Sequence, residues 1–365
     1  MSKIHEVIEF LEAFAPKQYQ ESYDNSGLLT GDQSWEVAGI VVTLDCTEAV
    51  VDEAIRSKAN LIVAHHPIIF KGLKKLTGSN YVERTIIKAI QNNIAIYAIH
   101  TNLDNVHTGV NRKICEKLGL KNLEVMVPKK GLLTKLVTFI PVKDTEKVLQ
   151  EIHDAGAGQI GKYSNCSFRV EGIGSFKPDF TSDPHIGTPG KAEEVRENRV
   201  EVIFPNHLES RVMSALRKSH PYEEVAYYLT QLSNDNQEVG SGMVGVLESP
   251  MEPISFLHHL KNSMGLAMIR HTHLVDRLVT KVAVCGGSGS FLLRDAISSG
   301  AQVYITADFK YHEFFDAEGR IIIADIGHYE SEVYTKDLLK EVLIKKFPTF
   351  AIYFSSTLTN PISYL

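Results

Sequence analysis

Nothing in the chain has the spacing of a zinc knuckle or a disulfide framework: the four cysteines, Cys46, Cys115, Cys166 and Cys285, are scattered and form no C-x-x-C pair. A reducing compartment is the expectation. No apolar run approaches the ~18 residues that suggest a membrane span, and Met1 to Glu6 carries charges where a signal peptide needs an apolar segment. A cytoplasmic location with no membrane partner is therefore expected. Positive charge is not in excess either. With a formal net charge of -6 and a pI near 6.2, nucleic acid is not an expected partner, and a small-molecule or protein partner fits better. What the chain does have is bulk: 365 residues that are 44% hydrophobic can bury the cores of two domains, or three.

The first 127 residues read as alternating strands and helices. Residues 3–14 place Ile4, Val7, Ile8, Leu11 and Phe14 at helical spacing. The polar turn Asp24-Asn25-Ser26-Gly27 follows, either an ordinary loop or the lining of a site. Short apolar runs from Gly39 to Asp45, Asn60 to Ala64 and Ile94 to Ile99, with helical stretches between them, predict a parallel sheet with right-handed crossovers. In such sheets ligands gather beyond the carboxyl ends of the strands. Two of these runs end in His65-His66 and in His100-Thr101-Asn102-Leu103-Asp104. Lys71, Lys74 and Lys75 follow the histidine pair, as a solvated loop or as charges facing an anionic group.

Near Pro128 the pattern changes. Strands over 132–141, 166–170, 173–176, 199–204 and 225–232, with helices over 145–155 and 207–219, give a slightly elaborated version of the order β-α-β-β-α-β of a ferredoxin-like module. It is read as an insert spanning 128–275 with its return segment. The sequence His220-Pro221-Tyr222-Glu223-Glu224 before its last strand reads as a proline turn with charged edges. His271 and His273 share a strand face in the return segment.

The parallel-sheet pattern resumes with Val279 to Val284, then Cys285-Gly286-Gly287-Ser288-Gly289-Ser290, a glycine-rich turn suited either to tight packing or to aiming backbone N–H groups at an anion. It is neither a P-loop nor G-x-G-x-x-G. Two further strands end in Ala307-Asp308-Phe309-Lys310-Tyr311-His312 and in Asp325-Ile326-Gly327-His328-Tyr329-Glu330-Ser331-Glu332. If the helix that packs through Leu338 and Leu339 begins near His328, then His328 and Glu332 project from one face. His65, His66, Asp104, His328 and Glu332 then converge from three strand ends, a pattern that independent caps would not produce.

These segments resemble the GTP cyclohydrolase type 2 homolog family, also called Nif-three-like or dinuclear-metal-centre proteins. The likeness rests on A-H-H-P-I-I-F at 64–70, H-T-N-L-D at 100–104, C-G-G-S-G-S at 285–290, A-D-F-K-Y-H at 307–312 and G-H-Y-E-S-E at 327–332. It implies an α/β core, a mostly parallel sandwich-type sheet domain built from residues 1–127 and 276–365, with a PII/CutA-like ferredoxin-fold insert. It implies metal ligands at His65, His66, Asp104, His328 and Glu332, and two divalent ions per chain. Zinc, iron or manganese suits such a donor set better than calcium. Glu332 or Asp104 is expected to bridge the ions, with Asp308 and His312 as candidates for orienting ligands or moving protons. The family further implies a toroidal homohexamer and a metal-dependent hydrolase of the GTP cyclohydrolase type, acting on a nucleotide-like or other anionic small molecule. A non-catalytic metal-binding or regulatory oligomer, sensing a ligand or protein partner through the insert, is the competing expectation.

Overall fold

The computed structural model describes residues 2–365. The N-terminal part contributes strands β1 (Gly27–Thr30), β2 (Ile40–Thr43), β3 (Leu61–Ala64) and β4 (Ala95–Ala98). Then come β5 (Lys121–Lys130), β6 (Leu133–Pro141), β7 (Phe168–Phe176), β8 (Glu193–Pro205) and β9 (Tyr227–Leu232). The C-terminal part adds β10 (Asp235–Met251), β11 (Arg270–His271), β12 (Val279–Ser288), β13 (Val303–Ala307), β14 (Ile322–Asp325) and β15 (Ile352–Phe354).

β2, β3 and β4 are the runs IVVT, LIVA and AIYA, buried at every residue, as strands covered on both faces must be. They run parallel and in step, with Thr43 opposite Ala64 and Ala64 opposite Ala98. β15 extends the sheet in parallel beside β2, and β1 closes its other edge antiparallel to β4. The helices Glu48–Arg56 and Tyr81–Gln91 are the crossovers, packing Val50, Ala54, Ile86 and Ala89 onto Val41, Ile62 and Ile96. Each such aliphatic side chain, fully removed from water, contributes about 1.5–3 kcal/mol. A second sheet has the order β11-β14-β13-β12-β10-β5. Its three inner strands, β12 to β14, are parallel, whereas β10 is antiparallel to β12 and β11 to β14. The third sheet, β7-β8-β6-β9, is antiparallel throughout and is covered on one face by the helices Thr145–Asp154 and Glu209–Ser219 around Leu136, Ile152, Phe204 and Leu216. The fold is thus mixed α/β with several sheets.

By its contacts the chain divides into two compact units, residues 1–127 with 239–365, and residues 128–238. The sequence pattern puts the return from the second unit at residue 276. The structure puts it at Val239, because β10 runs on into the ladder of β12, with Met243 opposite Val284. β7 is one strand where two are expected. Its pairing with β8 is unbroken from Phe168 opposite Glu201 to Phe176 opposite Glu193, and the ladder carries the strand through Gly172 and Gly174. Among the described residues no helix is long and apolar enough to cross a membrane.

β15 is secured by one buried carboxylate. Glu53 accepts hydrogen bonds from Ser355 Oγ, Ser356 N and Oγ, and Thr357 Oγ1 at 2.7–2.8 Å. Burial pushes its pKa up, but these bonds outweigh burial and hold the group at about 2, against an ordinary value of 4.5. A carboxylate with a depressed native pKa contributes stability that is complete above its unfolded value and is lost as pH falls through the native one. Glu53→Gln should therefore lower Tm at pH 7 and flatten the acid loss of stability between pH about 4.5 and about 2. Thermal melts across that range check it, and an acid limb identical to that of the native protein would refute it.

Candidate metal centre

The register of the first sheet sets three side chains abreast. Asp45, His66 and His100 each lie two residues past the last paired position of β2, β3 and β4. His65, one residue nearer the strand, points the other way by the alternation of side chains, and it is completely buried. From the second sheet, β13 ends at Ala307 before Asp308, and β14 leads through Gly327 to a short helix, His328–Glu332. This helix is separate from Thr335–Lys346, which carries Leu338 and Leu339. One helical turn suffices to bring His328 and Glu332 together, with Nε2 of the histidine 3.1 Å from Oε2 of the glutamate.

Each of the four imidazoles is fixed through Nδ1. His65 donates to the Ile99 carbonyl at 2.8 Å, His66 to Asp45 at 2.7 Å, His100 to Asp24 at 2.8 Å and His328 to Asp308 at 2.6 Å. Acceptors of this kind set the tautomer and aim the other nitrogen, Nε2, as metal-binding histidines require. Three of the Nε2 atoms converge on one carboxylate. Glu332 Oε2 lies 2.9 Å from His66 Nε2 and 3.1 Å from His328 Nε2, while Oε1 lies 3.8 Å from His65 Nε2. Asp104 Oδ1 is 3.5 Å from His65 Nε2.

Nε2 of His65 and Oδ1 of Asp104 are buried and have no hydrogen-bond partner, a costly state for polar atoms unless a cation takes their lone pairs. The charges say the same. Burial first, and then the Glu332 charge, drives the Asp104 carboxyl well above the usual range. Burial also holds His65 down, to about 4. His66 and His328 go the other way. Burial lowers both, but the hydrogen bonds to Asp45 and Glu332, and to Asp308 and Glu332, outweigh it and lift them to about 10 and about 11. Two carboxylates and converging imidazole nitrogens, enclosed away from water, call for positive charge between them. Three overlapping groups could hold a metal: His65 with Asp104 and Glu332, His66 with His328 and Glu332, and His65 with His66 and His100.

All five residues expected as ligands meet here, and so does Asp308, held to His328 by a backbone at φ +60, which Asp tolerates better than most residues. His312 does not. It is exposed, and its ring contacts are Tyr311 and Phe315. It lies in the seven-residue 3-10 helix that starts at Tyr311, after Asp308. The sequence reading also missed His100, Asp45 and Asp24. Their common signal was position, since Asp45 and His100 occupy the same step beyond parallel strands as His66. Asp24 is held by Thr101 N at 3.0 Å and Thr101 Oγ1 at 2.5 Å, so the polar loop noted at 24–27 is the support of His100.

The glycine-rich turn is a packing device. Gly286 N donates to Asn111 Oδ1 and Gly287 N to Ser331 Oγ, both at 2.9 Å, so neither is aimed at an anion. A Cβ on Gly287, whose φ is +65, would lie 2.4 Å from Glu332 Oε1. Gly287→Ala should displace that carboxylate and strain the turn, with metal content falling well below that of the native protein. Elemental analysis of purified protein checks it, and full metal content in the variant would refute it.

A model of the family described as Duf34/NIF3 (NGG1p interacting factor 3) matches residues 2–361. The chain is 39% identical over 366 residues to the GTP cyclohydrolase 1 type 2 homolog of Bacillus subtilis, covering 99% of this chain and 98% of that one. It is 36% identical to the protein of the same name from Staphylococcus epidermidis, over 99% of this chain and 100% of that one. Among solved structures, a Bacillus cereus protein related to NIF3 matches with a TM-score of 0.88 at 38% identity, covering 100% of this chain and 99% of the other. Matches of this extent, on a chain whose sheet ends gather four histidines around shared carboxylates, leave one conclusion: the protein belongs to the Duf34/NIF3 family.

Proposed function

We propose that the chain is a dinuclear metal-dependent hydrolase of the cytoplasm, acting on a nucleotide-like or other anionic small molecule. The observation that carries this reading is the single carboxylate of Glu332 faced by the Nε2 atoms of three imidazoles that are each fixed from behind. His65, Asp104 and Glu332 would hold one ion and His66, His328 and Glu332 the other, with Glu332 shared. Two divalent ions of zinc, iron or manganese supply Lewis acidity and make water acidic enough to ionise near neutral pH. The chain's own groups orient and enclose. Asp45 and Asp308 keep His66 and His328 turned inward, and Asp24 does the same for His100, whose Nε2 remains available to a ligand or substrate atom. Asp308 is partly exposed and is the carboxylate placed to move a proton, its pKa held below the usual range by the His328 hydrogen bond.

The rim favours a heterocycle. Phe70 and Tyr23 are exposed at 46% and 63%, their rings 6.3 Å apart, with Phe70 also 6.3 Å from His100. Asn25 Nδ2 donates to the Ile69 carbonyl at 2.6 Å and ties their two loops together. Planar rings stack well on such surfaces. Lys71, Lys74 and Lys75 are exposed close by in sequence and suit an anionic group. GTP cyclohydrolase-type ring opening is the named possibility, supported by the names of the relatives.

Residues 128–238 are inferred to be a ferredoxin-like module, a reading supported by the order β6-helix-β7-β8-helix-β9 and by the neighbour order β7-β8-β6-β9. Self-association into a toroidal homohexamer is proposed from the family resemblance.

Metal-reconstituted protein, assayed by metabolite depletion against nucleotides, phosphoesters and cyclic amides, should consume one class of compound. His65→Ala should abolish turnover and lower metal content, while Asp45→Asn weakens metal binding roughly 10- to 100-fold through the loss of orientation. No turnover on any of these compounds by fully loaded protein would sink the hydrolase reading and favour a binding role. Sedimentation equilibrium should return six chain masses, and a monomer or dimer would remove the ring.

A further inference from the structure

A large cavity lies wholly in the second unit, far in sequence from every metal-site residue. It has a volume of about 1040 Å³, between the sheet face that the two helices leave uncovered and the segment 177–186. Its walls are aromatic. Phe139 and Tyr228 meet edge to face at 5.7 Å, and Phe176 and Tyr222 lie 5.9 Å apart. Among these rings sits a carboxylate that has no counter-ion.

Glu197 is 7% exposed, and its carboxylate lies over Gly174, where a Cβ would come within 2.1 Å of Oε2. The Tyr222 hydroxyl donates to Oε1 at 2.8 Å. Among the described residues no hydrogen bond engages Oε2. Of the arginines nearby, Arg199 pairs with Glu201 at 2.9 Å and Arg196 with Glu171, while Lys177 and His185 line the cavity alongside the acids Glu171, Asp179, Glu223 and Glu224. His220 supplies no charge. Its Nε2–H donates to the Phe139 carbonyl at 3.0 Å, and its Nδ1 accepts from Tyr222 N at 3.1 Å, which is the bonding of a neutral imidazole. Asp144 adds to the negative potential, since its charge acts on both His220 and Tyr222, and its buried Oδ2 has no hydrogen-bond partner. A buried carboxylate without a matching cation is costly, and a ligand that brings donors and positive charge removes that cost.

We propose that this cavity binds a planar aromatic cation, its N–H donors on Glu197 Oε2 and its ring between Tyr222 and Tyr228. Aromatic walls attract such a cation through their π faces, and the carboxylate fixes its orientation. The same features disfavour an anion: a phosphate or carboxylate placed here would meet Glu197 in a cavity that Glu171, Asp179, Glu223 and Glu224 also line, five acids against Lys177 and an arginine already paired. The site is independent of the metal centre and stands whether or not that centre catalyses a reaction. It gives the second unit a ligand of defined chemistry.

Isothermal titration of the full-length protein with benzamidine at pH 7, repeated with benzoate and with ATP, tests the proposal. Benzamidine should bind saturably, and Glu197→Gln, which can still accept the Tyr222 hydrogen bond, should weaken it roughly tenfold or more. Tyr228→Ala should weaken it too, and because Tyr228 is 62% exposed that variant keeps its fold. Circular dichroism and melting identify any variant that fails to fold, in which case Tyr228→Ala decides. Benzoate and ATP should not bind with a sensitivity to Glu197. Absence of saturable benzamidine binding, binding indifferent to a folded Glu197→Gln or Tyr228→Ala, or binding of benzoate or ATP that is tighter than that of benzamidine and is altered by Glu197→Gln or Tyr228→Ala would each overturn the assignment.

Discussion

A carboxylate facing three imidazole nitrogens is the constraint to which the first unit answers. Glu332 can hold that position only if its neighbours give way. Gly287 has no side chain because the space is taken by Oε1, and Ser331, on the same turn, accepts the Gly287 N–H. Behind the histidines stand three aspartates and a carbonyl, each on a different segment, so the orientation of every ring depends on the folding of another part of the chain. The support continues outward. Asp45 Oδ2 receives a hydrogen bond from Thr359 at 2.7 Å, and Asn360 donates to Glu330 at 3.0 Å. The C-terminal segment that Glu53 secures thereby reaches the back of the metal centre. Stability and function are joined here, because the enclosure that makes the carboxylates strong cation ligands is the same one that makes them costly without a cation.

Much of this was legible in the sequence because strand ends are easy to read. Uninterrupted runs such as LIVA and AIYA can only be covered strands, and the first polar residues after them must lie at the sheet's edge. His65, His66 and Asp104 were found that way, and His328 with Glu332 followed from their separation by four. What could not be read was register. Asp45 carries no motif of its own, His100 opens the H-T-N-L-D segment in which Asp104 is the expected ligand, and it is the exact pairing of Thr43, Ala64 and Ala98 that makes both neighbours of His66. His312 failed for the opposite reason. It lies four residues after Asp308, but Asp308 stands at φ +60 ahead of the helix that begins at Tyr311, so the two residues do not share a helical face.

The second unit shows how far pattern reading goes for a sheet with one open face. The covered face, with Leu136, Val200 and Phe204, announces itself by alternation. On the other face Glu197 looks like one more surface acid in a strand rich in them. It is buried against Gly174 and Tyr222 in a cavity that the segment 177–186 also lines, and the composition of that segment predicts only a loop. A cavity lined by an irregular segment leaves no periodic trace.

The place where the second unit joins the first has a consequence of its own. The chain leaves along β5 and returns along β10, and these two strands are neighbours in one sheet. Topologically the whole of residues 128–238 occupies the position of a connection between adjacent strands, and connections are where length varies at little thermodynamic cost. The sheet that helps to carry the metal centre is complete without the second unit. The two parts of the protein are thus free to change at different rates: one is held by site side chains that must meet from both ends of the chain, and the other only by the need to begin and end at two neighbouring strands.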